Sequence, residues 1–459
     1  IEHCLEKSAG RRFRSAHDVA VALRALLLDS GVSTPVPRRR PAGAAIQHSV
    51  AVLPFATTGD VPDLEFVGEG IAESVINTIS GVRGLRVIPR SLAFRCAGRE
   101  SEPRTVGIEL NAEALLSGRV TARGDQLHVQ ADLVDTSDES QIWGGRFVRA
   151  LTDLEAVAGA IGDDICDALR GRFQTAVTST RRSRRPRQRQ APSPAYHEYL
   201  RGRALWNKWT RAGLLGSIEA FKAAIDIDAS YAPAFGGLAD AYAASAYHGY
   251  LASTAVMDLC RDAAQRAIAL DASLAEPHAT LGVVAMFFEW DWLAAQRHIT
   301  RALGMNPRCL TAQAYHSLYL ASRGQTQAAL EAARRAERLD PLSLLAMSAV
   351  TWSLLHNGDV EDCEAQLHRI LAVDAEFSMA LVLLARLAEA RRDMVAAVRY
   401  SRRWLLSMGA AATQADGLTA AAADGWAAYW RGDLGALGGP AVGGGFSRPG
   451  VGPPARIAL

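Results

Sequence analysis

The residues with the most reactive side chains are scattered along the 459-residue chain, without the spacing that a chemical site needs. Structural zinc sites and thiol redox centres use cysteines in C-x-x-C pairs, and no such pair occurs. The eleven histidines include no H-E-x-x-H motif and no cluster with cysteine, so we interpret them as ordinary surface or core residues. We therefore predict no metal site, and reduced thiols buried in the core. The six cysteines are Cys4, Cys96, Cys166, Cys260, Cys309 and Cys363.

Motifs for nucleophilic and phosphate chemistry are also missing. No G-x-S-x-G elbow is present to expose a nucleophilic serine. Gly68 and Gly70, followed by Glu73, come nearest to a glycine-rich phosphate loop, and we interpret them as the entry to a helix. The sequence therefore predicts no catalytic residue and no cofactor site in this chain.

The charge balance indicates no particular class of partner. Fifty Lys and Arg residues against 48 Asp and Glu give a net charge of +2, so no overall field favours nucleic acid or membrane. Residues 174–195 hold an arginine run at 181–189, which could grip the phosphates of nucleic acid or an anionic membrane. It lacks interleaved aromatic residues, so we favour a solvated linker. The longest apolar runs, such as Leu281–Phe288, are shorter than the ~18–20 residues of a membrane span, and we expect a cytoplasmic protein.

Residues 49–173 show the pattern of one α/β sandwich domain. Val50–Leu53 is short, apolar and β-branched, as in a buried strand, and Gln126–Asp135 alternates apolar with polar residues, as in a half-buried strand. Helical spacing marks Gly68–Ser80 and the stretch from Leu151 to Leu169. The predicted order is β-α-β-α-β-β-β-α.

From about Tyr196 to Leu406 the pattern is helical and repeats itself. Five short phrases end in Ala229, Ala272, Pro307, Pro341 and Ala375, at steps of 43, 35, 34 and 34 residues. A 34-residue period made of two helices is typical of tetratricopeptide repeats, whose stacked pairs share a core and form a solenoid. We expect small residues and prolines to occupy the close helix contacts and turns. These repeat-packing residues are Gly282, Ala295, Ala302, Pro307, Gly324, Ala329, Ala336, Pro341 and Gly358.

The resemblance to tetratricopeptide arrays implies a scaffold that binds a protein or peptide in the groove lined by the first helices of the pairs. The sequence departs from the family pattern at two places. About nine extra residues lie near Tyr247–Tyr250, and Arg392 replaces the glycine between the helices of the last pair. Six tryptophans could line the groove, but at helical spacing we favour packing between repeats. They are Trp206, Trp209, Trp290, Trp292, Trp352 and Trp404.

The first 30 residues resemble the last stretch of a bacterial Ser/Thr protein kinase domain. The phrase CLEKSAGRRFRSA at residues 4–16 carries the resemblance, which implies that Arg12 is the kinase-fold arginine that pairs with a buried glutamate. No glycine-rich loop, V-A-I-K lysine, H-R-D loop or D-F-G aspartate occurs, so we expect no phosphoryl transfer by this chain. We expect it to be the carboxy-terminal part of a longer kinase, and ATP and Mg²⁺ are expected only for the catalytic domain upstream of Ile1.

The middle segment resembles the amino-terminal domain of TolB, found beside tetratricopeptide repeats in bacterial kinases and adenylate cyclases. The matching phrases include VAVLPF at 50–55 and LRVIPR at 85–90. The predicted fold class is thus an α/β sandwich domain followed by an all-α tetratricopeptide solenoid, after an N-terminal remnant helix of a kinase C-lobe. The predicted segments are the kinase end at 1–30, a linker at 31–48, the α/β domain at 49–173, an Arg/Pro-rich linker at 174–195, the solenoid at 196–408 and an Ala/Gly/Pro-rich, partly disordered tail at 409–459.

Two function classes remain open from the sequence. The first is the regulatory and docking part of a signalling kinase. The second is a freestanding adaptor, or the sensory half of a nucleotide cyclase-type protein. The first 30 residues favour the kinase interpretation.

Overall fold

The computed structural model describes residues 48–59, 64–80, 82, 84–123, 126–150, 154–172, 195–426 and 428–430, all within one compact unit. The predictions for the kinase end at 1–30, Arg12, Cys4 and the arginine run at 181–189 lie outside the described residues. So do the first linker up to residue 47 and the tail from 431.

A six-stranded mixed sheet forms the first domain. The order is β3-β1-β4-β5-β6, and β2 pairs with the far end of β4. Strand β1 is parallel to β3 and β4, whereas β4, β5 and β6 are antiparallel. The strands are β1 (His48–Val52), β2 (Ala56–Thr58), β3 (Leu85–Val87), β4 (Ala114–Arg123), β5 (Gln126–Asp135) and β6 (Gln141–Ala150). The helices are α1 (Leu64–Ile79), α2 (Arg90–Ala93), α3 (Pro103–Leu110) and α4 (Leu154–Arg172).

The alternation in β5 directs one row of apolar side chains towards α1 and α4. Leu127, Val129, Ala131 and Leu133 are buried in the core that these helices cover, as the pattern predicted. A smaller core on the opposite face packs α2 and α3 against β1. The predicted α/β sandwich is therefore confirmed, with the three-residue strand β2 as an addition.

The interpretation of Gly68 and Gly70 as a helix entry is wrong, because α1 begins at Leu64 and both glycines lie within it. A Cβ on Gly68 would lie 2.2 Å from the carbonyl oxygen of Phe55, and one on Gly70 would lie 2.5 Å from a methyl group of Leu200. Both glycines permit close packing along the length of a helix.

The second part of the chain is an all-helical array of stacked pairs, confirming the predicted solenoid. The second predicted unit has longer helices, of 16 and 18 residues, where the fourth pair has 13 and 14, in keeping with its extra residues. The helices are α5 (Tyr196–Asn207), α6 (Arg211–Ile227), α7 (Ala232–Tyr247), α8 (Ser253–Leu270), α9 (Glu276–Val284), α10 (Trp292–Met305), α11 (Leu310–Ser322), α12 (Thr326–Leu339), α13 (Leu344–Asn357), α14 (Val360–Val373), α15 (Ser378–Ala390), α16 (Met394–Ser407) and α17 (Ala412–Ala423).

The corner between the helices of a pair repeats one backbone conformation. Trp290, Gly324, Gly358 and Arg392 follow each other at 34-residue steps and have φ of 59°, 74°, 85° and 61°. Glycine adopts such left-handed conformations freely, whereas a residue with a Cβ is strained there. The corner is thus kept at Arg392, where the family glycine is missing.

The stack of helices continues past residue 408, where we placed the end of the solenoid. Helix α17 packs on α16 and buries Ala415 and Leu418. Tyr429 is fully buried, with its hydroxyl 2.8 Å from Ser401 Oγ and donating to Glu389 Oε1 at 2.9 Å.

Ala329 lies with no exposed surface on α12, so its replacement tests how tightly the pairs pack. We expect Ala329→Trp to lower the free energy of unfolding by at least about 1–3 kcal/mol, because a buried methyl position cannot take an indole without displacing its neighbours. Thermal unfolding of the full chain would measure this loss. Ala328→Trp, on the exposed side of the same helix, is the control. Equal melting temperatures for the two variants would contradict the assigned packing.

Candidate functional site on the inner face of the array

The first helices α7, α9, α11 and α13 come together on one side of the array, here called the inner face. Large side chains fill it and leave a cavity of about 20 Å³, which has room for about one water molecule. Ser348 Oγ is buried beside this cavity and has no hydrogen-bond partner among the described residues. The largest lining residues are Trp209, Tyr247, Phe287, Phe288, Tyr315 and Trp352.

The inner face is closed by contacts between the second pair and the start of α15. The Tyr250 hydroxyl lies 3.0 Å from Ser378 Oγ, and the His248 ring lies 5.4 Å from that of Phe377. Tyr247 and Trp352 both donate to Met379 Sδ, at 3.9 and 3.2 Å. Burial lowers the pKa of His248 to about 4, so this imidazole is neutral at physiological pH. The groove expected to take a peptide is therefore filled by the chain's own side chains.

A partly buried ion cluster joins the sheet domain to the first helical pair. Glu73 on α1 accepts hydrogen bonds from Arg203 at 3.3 Å and Asn207 at 3.1 Å, and Arg90 Nε lies 3.3 Å from one of its oxygens. Burial raises the pKa of Glu73, but the charges of Arg203 and Arg90 and these hydrogen bonds outweigh it and hold the pKa below its ordinary value. Arg90 also pairs with Glu69 at 2.9 Å. The carboxylate is therefore a fixed negative charge between two arginines.

Two aspartates of the array lie near this cluster. Asp240 on α7 is buried and accepts a hydrogen bond from Thr280 of α9. Asp340, between α12 and α13, accepts one from Ser91 of α2, so the sheet domain also touches the fourth pair. Burial raises the pKa of Asp240 to about 7 and also raises that of Asp340.

Asp240→Asn should change how stability depends on pH. The unfolded chain holds this carboxyl near its ordinary pKa of 3.8, and folding raises the pKa to about 7, so stability falls as the pH rises through that window. Asparagine does not ionise. We therefore expect the free energy of unfolding of the variant, relative to that of the wild type, to rise between pH 5 and pH 8 by on the order of 1–2 kcal/mol. Urea unfolding at both pH values measures this, with the exposed Asp262→Asn as the control. A constant difference between variant and wild type across the range would contradict the buried, protonated carboxyl.

The predicted repeat-packing residues lie at helix contacts and turns of the array. A Cβ on Gly282 would lie 2.6 Å from Ile299, and Ala295, Ala302, Ala329 and Ala336 are fully buried. The remaining four lie in the turns after helices: Pro307, Gly324, Pro341 and Gly358. None of the nine lies in the ion cluster.

No sequence pattern predicted Glu73, Arg203 and Asp240 as a group. Glu73 lies two residues from Ile71 and Val75, and therefore on the opposite side of α1 from this apolar face, so the helical pattern gave no signal for it. Of the six tryptophans, Trp206, Trp209 and Trp404 are buried, Trp292 and Trp352 are half-buried, and Trp290 is exposed.

Within the residues that the structure describes, no three His, Cys, Asp or Glu side chains are grouped to hold a metal ion. Among the described cysteines, Cys96, Cys260, Cys309 and Cys363 are free thiols in buried positions, and Cys166 is buried as well. None of the helices in the described part of the chain is long and apolar enough to cross a membrane.

Comparison with known proteins gives different matches for the two parts. The family described as HilA/YgeH-like transcriptional regulator, second domain, matches residues 46–160. Putative adenylate cyclase 3 of Rhizobium meliloti (strain 1021) is 32% identical over 136 residues, 30% of this chain and 23% of that protein. Tol-Pal system protein TolB of Alkalilimnicola ehrlichii is 28% identical over 123 residues, 27% of this chain and 28% of that protein. The chain thus spans about a quarter of the length of these curated relatives.

Two of the similar solved structures are described as tetratricopeptide-repeat (TPR) proteins. TTC0263, a thermophilic one from Thermus thermophilus, is 16% identical and aligns with 41% of this chain and 99% of its own, with a TM-score of 0.33. YrrB, titled a TPR protein with an unusual peptide-binding site, is 18% identical over 41% of this chain and 90% of its own, with a TM-score of 0.25. These likenesses concern the fold alone.

Proposed function

We propose that this chain is the regulatory and protein-docking part of a bacterial Ser/Thr protein kinase that acts in the cytoplasm. The observation that supports the docking role is the direct packing of the repeat array against the sheet domain. Leu200 of α5 packs against Gly70 of α1, and Arg203 binds Glu73, so the two parts share an apolar core and an ion cluster. A protein bound to the array would act on the sheet domain through these contacts.

The kinase parentage rests on the phrase at residues 4–16, and ATP and Mg²⁺ would belong to a catalytic domain upstream of Ile1. The cytoplasmic location is supported by the free thiols of Cys96, Cys260, Cys309 and Cys363 among the described residues, since a reducing compartment keeps cysteines unpaired.

The partner that we propose for the repeat groove is a protein or peptide. Because the inner face is filled, entry requires the Tyr250–Ser378 and His248–Phe377 contacts to separate. Binding would therefore select an opened form of the array, and the free energy needed to break these contacts would lower the affinity for the partner.

Removing the closing hydrogen bond tests this docking role. The full chain is immobilised and exposed to a bacterial lysate, and the bound proteins are identified by mass spectrometry. We expect Tyr250→Phe combined with Ser378→Ala to capture more of the same partner than the wild type, because the closed state loses its hydrogen bond. Ser353→Ala, which removes a buried hydroxyl that donates within its own helix, is the control. Capture of no specific protein by either form would contradict the docking role.

A second candidate is the sensory half of a nucleotide cyclase-type protein or a freestanding adaptor, favoured by the 32% identity to the putative adenylate cyclase. The coding sequence upstream of Ile1 separates the two. A frame encoding a kinase catalytic domain supports the first proposal, and a cyclase frame or a nearby start codon supports the second.

A further inference from the structure

Trp290 is exposed at a corner between two helices, a position that glycine occupies in other pairs of the array. It has 61% of its surface exposed and a φ of 59°, whereas the equivalent corners of the next two pairs are Gly324 and Gly358. Its ring contacts Trp292 edge-on at 6.1 Å between centroids. A large aromatic residue thus occupies a strained position in contact with solvent, and such strain is concentrated at functional sites.

The exposed side of α10 continues from this corner. Leu293 has 63% of its surface exposed, and Arg297 and Arg301 follow at intervals of four residues, which places the three on one helical stripe. At 1.5 Å per residue the stripe is about 12 Å long. An open depression of about 730 Å³ runs beside it. The depression is lined by Gln296, Arg297, Thr300, Arg301, Gly304 and Met305. We call the surface formed by Trp290, Leu293, Arg297 and Arg301 the α10 face.

The α10 face carries positive charge that the fold leaves uncompensated. In the described part of the chain, neither Arg297 nor Arg301 lies within ion-pair distance of a carboxylate. The nearby acidic residues are engaged elsewhere, since Glu289 binds Arg261 at 2.7 Å and Asp291 caps α10 through the amide of Ala294. The face therefore presents two apolar side chains followed by two unpaired guanidinium groups. This arrangement complements a peptide that carries an apolar side chain followed by carboxylates.

We propose that the α10 face binds an acidic peptide segment of a partner protein, with an apolar side chain of that segment seated between Trp290 and Leu293 and its carboxylates on Arg297 and Arg301. This inference rests on the proposed docking role and assigns part of it to the outer side of the array, away from the filled inner face. Aromatic residues and arginine are the residue types that dominate protein interfaces.

A displayed library of random 12-residue peptides, selected on the immobilised full chain, tests the proposal. We expect the enriched peptides to combine Asp or Glu with an aromatic or aliphatic residue and to bind less tightly as salt concentration rises. In fluorescence anisotropy, Trp290→Gly and the pair Arg297→Glu with Arg301→Glu should each weaken binding at least about tenfold. Trp290→Gly should keep the fold, since glycine suits this corner, and thermal unfolding checks it.

Matched variants keep the test specific. Val395 is the equivalent of Leu293 three repeats later and is 78% exposed, so Val395→Ser is the control for Leu293→Ser. Arg323→Glu with Arg338→Glu repeats the charge reversal at other exposed positions of the array. Enriched peptides that are neutral or basic, or that bind the α10-face variants and their controls equally, would overturn the proposal. So would tighter, Trp290-dependent binding of single-stranded RNA. If Trp290→Gly captures the partner from the lysate as well as the wild type does, the α10 face is rejected and the docking role stands. If the wild type captures no specific protein, the docking role itself is rejected.

Discussion

Arg203→Ala should lower the free energy of unfolding by about 2–4 kcal/mol, between the loss expected for a fully buried ion pair and that for an exposed one. Arg203 donates to Glu73 at 3.3 Å, and the two side chains are only 23% and 19% exposed. The substitution leaves the partly buried Glu73 carboxylate with Arg90 as its remaining cation. The contact of the guanidinium with the Trp206 ring, at 4.9 Å from the centroid, is lost as well. Urea unfolding of the full chain would measure the effect.

Arg201→Ala is the control for this prediction. Arg201 pairs with Glu198 one turn away and is 37% exposed, so its removal should cost no more than about 1 kcal/mol. Glu73→Gln combined with Arg203→Ala should cost less than the sum of the single changes, because the double variant leaves no unpaired charge. Equal costs for Arg203→Ala and Arg201→Ala would show that the cluster does not hold the two parts together.

The same cluster gives the junction a defined pH dependence. The folded pKa of Glu73 lies below the ordinary 4.5, so its contribution is complete above the unfolded value and is lost as pH falls through the folded one. Asp240 acts in the opposite sense, because its folded pKa is raised. Near neutral pH, therefore, Glu73 contributes its full stabilisation, whereas ionisation of Asp240 weakens the fold.

Local patterns in the sequence predicted the elements of both domains. The alternation of apolar and polar residues in Gln126–Asp135 predicted the full length of β5. The 34-residue step predicted equivalent positions for Gly324 and Gly358, which both lie at corners between helices. Strand β2 was missed because its three residues are held by pairing with residues 119–121 of β4, which no local pattern shows. Helix α17 was missed because its alanine-rich sequence matches a tail in composition, although Ala415 and Leu418 pack in the core.

The candidate site could not be predicted because its partners are distant in the chain. Glu73 meets Arg203 across 130 residues, and Tyr250 meets Ser378 across 128. The 34-residue step predicts which helices are neighbours, but contact between the second pair and α15 depends on the curvature summed over the intervening pairs. The exposure of Trp290 could not be predicted either, because helical spacing favours burial for each of the six tryptophans equally.

Phe221 is the side chain around which the first two pairs pack, and Phe221→Ala should lower the free energy of unfolding by about 3–5 kcal/mol. It has no exposed surface, and two glycines make room for its ring. A Cβ on Gly202 of α5 would lie 2.6 Å from the ring, and one on Gly237 of α7 would lie 2.5 Å from it. Alanine would leave a cavity between three helices whose backbones are already in close approach.

A double-mutant cycle with Gly237 tests this explanation. Gly237→Ala alone forces a methyl group into the ring and should cost about 1–3 kcal/mol, despite the better helix propensity of alanine. In the presence of Phe221→Ala the same methyl group enters the vacated space, so we expect Gly237→Ala to become neutral or stabilising. Urea unfolding of the four full-length forms measures the coupling. Additive costs would mean that Gly237 and Phe221 do not pack against each other, and would remove the contact on which the spacing of α6 and α7 depends.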